Sequence, residues 1–319
     1  MSTSNSTSSW SNFSLLGGYP TKKQDLAASI LFTVAFSALV PLAVARLARR
    51  SSRNSLLYRP AAVILIRIAT YIIRAVQAGG DQRVGLYIAD QILLLSGLVP
   101  LIEPLISLLR YHVLRGFTPS PRSGASAEQR KVTWLDRGLW VLWAASWVSF
   151  ILGIVSGAEA SGAMSDPDKA AKLKRYRYAT IALLLLILLL VLVITAVMQF
   201  KKRLPLRPTL FLLVCSSILL IPNLYKLIIT VRPPPHRGSG PKAGFYLALS
   251  LPELLVTLSY FLVPSLDEWF DVREGEWKEK AERKMRWGRW PEELSGYVSR
   301  EEWEAWEREK KGEKNKEEV

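Results

Sequence analysis

The sequence predicts an all-α fold, an integral membrane bundle of seven transmembrane helices with the N-terminus outside and the C-terminus in the cytoplasm. Half of the 319 residues are hydrophobic, and they are gathered in long blocks instead of amphipathic periods, the pattern of spans in lipid. Mean hydropathy is positive, at +0.16, although 22% of residues are charged, because the charges lie mostly between the blocks. Those charges are also divided unevenly. Of 42 Lys+Arg and 27 Asp+Glu, 13 and 17 fall in residues 265–319, leaving 29 and 10 in residues 1–264. The membrane part is therefore strongly basic and the tail acidic, which suits anionic lipid headgroups at basic loops and not a nucleic acid partner.

Taken in order, residues 1–24 are polar, rich in Ser and Thr and without an apolar centre. They read as a disordered extracytoplasmic N-tail and not a signal peptide, so the first span must act as the targeting signal. Two sequons, at Asn5 and Asn12, are glycosylation candidates if this end lies outside. Apolar blocks follow at 26–44, 60–78, 84–109, 139–156, 178–200, 208–231 and 243–264, each long enough for about 20 residues of helix. The fifth carries the longest Leu/Ile/Val run, and the fourth is short and tryptophan-rich, with Trp140, Trp143 and Trp147. Loops 1–2, 3–4 and 5–6 hold 15 Lys+Arg against 11 on the opposite side. The positive-inside bias thus places those loops in the cytoplasm and the N-terminus outside.

Residues 265–319 form a charged cytoplasmic tail with six of the eleven tryptophans. Trp287/Trp290 and Trp303/Trp306 have helical spacing, and Pro291 divides the helices. The tail reads either as an interfacial anchor or partner-binding helix, or as a solvated helix packed on the loops.

Candidate functional residues are the polar groups at membrane depth, where each must offset a desolvation penalty. Glu253 lies at the centre of the seventh block and Arg67 near the middle of the second. Spans two and seven, running in opposite directions, bring them to one depth as a pair. Arg67, Tyr71 and Arg74 recur at spacings of four and three and share one helix face. Asp90 and Gln91 lie toward the outer end of span three, Glu103 deeper. Span six adds Pro222, Asn223, Tyr225 and Lys226, and span seven Pro252 and Tyr260. Arg67, Tyr71, Asp90, Asn223, Tyr225 and Glu253 are therefore the ligand-binding candidates, expected around one water-accessible cavity. The competing reading makes Arg67 and Glu253 an interhelical clamp. Arg74 and Lys226, near span ends, are expected to snorkel to the interface, and Asp90 to cap its helix or pair with Arg83. The two histidines, His112 and His236, lie far from any second ligand, so no metal site is expected. No phosphate loop, nucleophile elbow or paired-cysteine motif occurs, and no cofactor is implied. The single cysteine, Cys215, reads as a small packing residue.

The stretch ILIRIATYIIRAVQAGGDQRVGLYIADQILLLSGLVPLI (Ile64 to Ile102), with NLYKLI (Asn223 to Ile228) and FYLALSLPELLVTLSYFLV (Phe245 to Val263), resembles an uncharacterised family of fungal seven-transmembrane proteins. In layout it is similar to the fungal lipid-translocating exporter (RTA-like) group. The resemblance covers residues 20–265 and implies seven spans, an outer N-terminus and a fungal origin. It carries over no catalytic residue, and marks Arg67, Tyr225 and Glu253 as shared motif positions.

The function expected is binding, sensing or transport of a small amphipathic molecule or lipid. The alternatives are a membrane-embedded enzyme of fungal secondary metabolism, a cyclase or isomerase using Glu253 or Asp90 as proton donor, and a scaffold that recruits partners through its tail.

Overall fold

Among the residues that the computed structural model describes, every regular element is a helix. These residues are 17–18, 20–48, 55–81, 83–115, 125–159, 166–202, 204–231, 242–263, 266–270 and 272. The helices are α1 (Leu26–Ala48), α2 (Tyr58–Ala78), α3 (Val84–Ser96), α4 (Val99–Arg115), α5 (Ala125–Ala158), α6 (Pro167–Lys202), α7 (Leu206–Val231), α8 (Lys242–Leu262) and the short α9 (Leu266–Phe270). Seven segments are long and apolar enough to cross a bilayer: α1, α2, the α3–α4 unit (Val84–Val113), α5, α6, α7 and α8. The chain is a multi-pass membrane protein.

Four of these segments differ from the sequence expectation, for local reasons. Span three is two helices. Pro100 has no N–H to give the Ser96 carbonyl, so α3 ends there, and Leu101 and Ile102 both turn back to the Leu98 carbonyl. The fourth block is not short. It lies inside a 34-residue helix, about 51 Å long against a hydrocarbon core of roughly 30 Å. Likewise α6, of 36 residues, begins well before its apolar block. The exposed Lys169, Lys172, Lys174 and Arg175 belong to this protruding helical turn region and not to a loop. In α8, residues Tyr246–Ser250 form a wide π turn in which the Leu251 N–H reaches back to the Tyr246 carbonyl, immediately before Pro252.

Cross-helix contacts fix the direction of every span. At one end, Asp25 beside α1 meets Arg74 of α2, Arg74 meets Asp90 of α3, Tyr178 of α6 meets Thr230 of α7, and Lys242 of α8 meets Asp25. At the other end, Arg46 of α1 bonds the Phe261 carbonyl of α8, Arg59 of α2 and Trp143 of α5 meet Glu103 of α4, and His112 of α4 meets Thr209 of α7. Successive spans therefore alternate, and the bundle begins and finishes at opposite ends. Neighbours in the ring are α1 with α2 and α8, α5 with α6, α6 with α7, and α7 with α8. The α3–α4 unit lies inside that ring, against α2, α5, α6, α7 and α8. It is 78% buried, where the other six spans are 22% to 56% buried.

Polarity runs inside out relative to a water-soluble bundle. On α2, Leu65, Ile72 and Val76 face outward while Arg67, Thr70, Arg74 and Gln77 are buried. On α6 and α7, Leu189, Val193, Leu210 and Val214 are likewise exposed. Lipid is as apolar as these side chains, so nothing drives them inward, and the interior is free to hold polar groups.

Residues 17–18 and 20–24, read from sequence as part of a disordered tail, include the buried Gly17 and Pro20. The helical unit extends past residue 264 to Phe270, whose ring packs on His112 and Phe211. Asn5, Asn12, His236 and the paired tryptophans of the tail lie outside the described residues.

Close approach of α3 and α5 depends on Gly157, where a Cβ would stand 2.3 Å from Ile92 Cγ1 and 2.9 Å from its Cα. Gly157→Ala is expected to destabilise the bundle by about 1–3 kcal/mol through overpacking. Gly138→Ala, on the same helix with nothing within 4 Å, should be neutral or slightly stabilising. Unfolding in mixed micelles measures both, and equal effects would remove this packing argument.

Candidate functional site

Arg67 is carried into the bundle by α2 and Glu253 by α8, both fully buried. Arg67 Nη2 donates to Glu253 Oε1 at 2.8 Å, and Nε lies 2.5 Å from Oε2 as a charge contact without hydrogen-bond alignment. The third edge of the guanidinium is used as well, because Nη1 donates to the Leu93 carbonyl at 3.1 Å. Burial of each ion costs several kcal/mol, which only such direct pairing offsets. Gly97, at the bend between α3 and α4, makes the room: a Cβ there would lie 2.6 Å from Nη2 and 2.7 Å from Cζ.

One turn along α2, the Tyr71 ring packs on Phe32, Phe36 and Tyr246. Its hydroxyl and that of Ser250, in the π turn of α8, face one another and neither makes a well-aligned hydrogen bond among the described residues. From α7, Lys226 Nζ donates to the Leu94 carbonyl at 2.8 Å, adjacent to the carbonyl that receives Arg67.

A second ionic level lies seven residues further along α2, about 10 Å away. Arg74 Nη1 donates to Asp90 Oδ2 at 2.9 Å, and Nη2 lies 3.5 Å from Asp25 Oδ1. Nη2 also donates to the Gly17 carbonyl at 3.1 Å, and the guanidinium lies 4.3 Å from the centre of the Phe245 ring, within cation–π range. Asp25 binds Lys242, accepts from the Thr21 N–H at 2.8 Å, and lies 3.2 Å from the Tyr246 hydroxyl. Gln91, beside Asp90, accepts from Arg177 of α6 at 3.2 Å. Gly17 has φ +78°, and a Cβ there would meet Phe245 at 2.7 Å, so glycine alone lets this segment reach Arg74.

The charged residues thus sit on two levels, Arg67 with Glu253 and Arg74 with Asp90 and Asp25. Arg67 and Glu253 pair as expected. Arg74 and Lys226 do not snorkel: both are buried, because α2 and α7 continue past them for a further turn. Asp90 neither caps α3 nor meets Arg83. The Arg83 side chain makes no cap hydrogen bond to α3 and pairs with Asp81 at 2.6 Å; that hydrogen bond holds the Asp81 carboxyl below the usual carboxylate range.

Asn223 is buried in α7, its Nδ2 bonded to the Leu219 carbonyl at 3.3 Å and its Oδ1 without a partner among the described residues. Tyr225 is half-buried, with its hydroxyl in the same condition. Glu103 belongs to neither level; it pairs with Arg59 at 2.7 Å and accepts from Trp143 Nε1 at 2.6 Å. Cys215 is buried, its Sγ 3.4 Å from Ser259 Oγ. No group of three metal-ligating side chains occurs among the described residues.

Sequence reasoning missed Asp25, Lys242, Gly17 and Gly97. The first two were visible as opposite charges at the start of the first and last apolar blocks. The glycines gave no signal, since their role is the absence of a side chain.

Comparison with protein-family models, curated proteins and solved structures returns no match. The functional reading therefore rests on this geometry.

Gly97→Ala should push the Arg67 guanidinium off Glu253 and cost about 1–3 kcal/mol. Gly85→Ala in the same span, with nothing within 4 Å, is the control. Thermal melts of both variants in one detergent test this, and a Gly97→Ala melt equal to wild type would contradict the geometry.

Proposed function

We propose that this protein binds, senses or transports a small amphipathic molecule or lipid within its helical bundle, in the plasma membrane or an endomembrane. Its N-terminus lies outside, and its basic cytoplasmic loops rest on anionic lipid. The observation that supports this reading is the set of buried polar atoms without a well-aligned hydrogen bond among the described residues: the Tyr71 and Ser250 hydroxyls, which face one another beside Arg67 and Glu253, and Asn223 Oδ1 on α7. A purely structural clamp needs Arg67 and Glu253 and none of these, and unpaired buried polar groups cost about 1–3 kcal/mol each. Their persistence fits a site that is completed by a polar ligand group or by water. The π turn and Pro252 interrupt the hydrogen-bond ladder of α8 where it lines this level, so α8 can bend there with little further loss.

The enzymatic reading finds less support. Both oxygens of Glu253 face one guanidinium, and Asp90 is engaged by Arg74 and Gln91, so neither carboxyl is turned toward a substrate. The scaffold reading concerns a tail that lies outside the described residues.

The test is ligand protection in lipid nanodiscs with a panel of amphiphiles. At least one is expected to raise the melting temperature saturably in wild type, and Tyr71→Phe combined with Asn223→Leu should weaken that binding about tenfold while leaving the unliganded melt nearly unchanged. A double variant that binds every amphiphile as wild type does would exclude the site.

A further inference from the structure

We infer that Lys226 is the anchor for a monoanionic headgroup, a carboxylate, held at the middle of the bundle. This rests on the amphiphile-binding reading above and names the chemistry of its ligand. The level at which Lys226 lies contains two cations, Arg67 and Lys226, and one acid, Glu253. Glu253 is committed, with one oxygen bonded to Arg67 Nη2 and the other against its Nε. Lys226 is buried, close enough to Arg67 and Glu253 to feel both charges, yet no carboxylate lies within ion-pair distance of it among the described residues. Its one hydrogen bond goes to the Leu94 carbonyl. An ammonium has three N–H donors, so among the described residues two remain to be used, and one positive charge remains to be balanced inside the bundle.

The Arg67–Glu253 level also offers a hydroxyl donor to an oxygen anion: the Tyr71 and Ser250 hydroxyls face one another, so one can donate to the other while the second keeps its hydrogen for a ligand oxygen. Asn223 precedes Lys226 by three residues and shares its face of α7. A single excess charge calls for a monoanion; a phosphate dianion would reverse the imbalance. The opposite face of α7 carries Ile221, Leu224 and Ile228, exposed toward lipid, so an acyl chain leaving the site beside α7 meets apolar surface. A fatty acid supplies both parts, and a small soluble carboxylate supplies the head alone.

The experiment uses the full chain in phosphatidylcholine nanodiscs, with wild type, Lys226→Met and Lys226→Arg, and with oleate, oleyl alcohol and acetate as probes. Oleate is expected to protect wild type and Lys226→Arg saturably, with at least a tenfold weaker Kd for Lys226→Met. Saturable protection by acetate at comparable concentration would assign the carboxylate to a soluble source, and protection by oleate alone to the membrane. Without ligand, Lys226→Met should melt at or above wild type, since it removes an unbalanced buried charge. A lower melt would show that the lysine is a structural donor and would overturn the proposal. If oleyl alcohol and oleate bind equally and without regard to position 226, the amphiphile reading stands and the anionic headgroup fails. If no probe protects wild type, both fail.

Discussion

Arg67 and Glu253 hold opposite charges in contact at the middle of a membrane bundle, and much of the interior is shaped by that requirement. The guanidinium needs space, which the bend at Gly97 provides. It needs a third acceptor, which the Leu93 carbonyl supplies. The carboxylate must arrive at the same depth from the far end of the chain, which only alternating spans can achieve. A helix pair brought together by an ion pair in lipid has little competition, because no water is present to solvate either partner separately. The α3–α4 unit is therefore drawn to the centre, where its backbone carbonyls serve Arg67 and, through Leu94, Lys226.

The second level closes the end of the bundle at which the chain begins. Arg74 gathers Asp90, Asp25, the Gly17 carbonyl and the face of Phe245, and Lys242 ties α8 to Asp25. Four separate parts of the chain meet on one guanidinium. Its planar fork suits this task, since each edge can serve a different acceptor, which a lysine's single ammonium could not do at the same spacing. At the Arg67 level, Lys226 reaches a backbone carbonyl and no carboxylate among the described residues, which directs attention to it.

The seven spans were legible because lipid forces long apolar blocks whatever the protein does, and the Arg67–Glu253 pair because an ion at membrane depth must find another. What sequence could not show has a common physical cause: the register between helices. Arg74 and Lys226 stand near the ends of their apolar blocks, so snorkelling was a sound expectation until α2 and α7 were seen to continue past them inside the ring. Tryptophan and lysine flanks concealed the lengths of α5 and α6, since hydropathy marks where a helix is greasy and not where it stops. Pro100 offered a signal for a break in span three that the reading of 84–109 as one block did not use, and nothing in its hydropathy set it apart as the central span. Gly97 and Gly17 act through missing atoms, and a single sequence gives no reason to choose them from nineteen glycines.

The most direct test is a double-mutant cycle on Arg67→Met and Glu253→Met, read as unfolding free energy in a fixed detergent mixture. Each single substitution strands a buried charge and should cost about 3–5 kcal/mol, whereas the double substitution should restore stability to near wild type. Additive losses, or single variants as stable as wild type, would show that the two side chains do not meet inside the bundle and would contradict the account at its foundation.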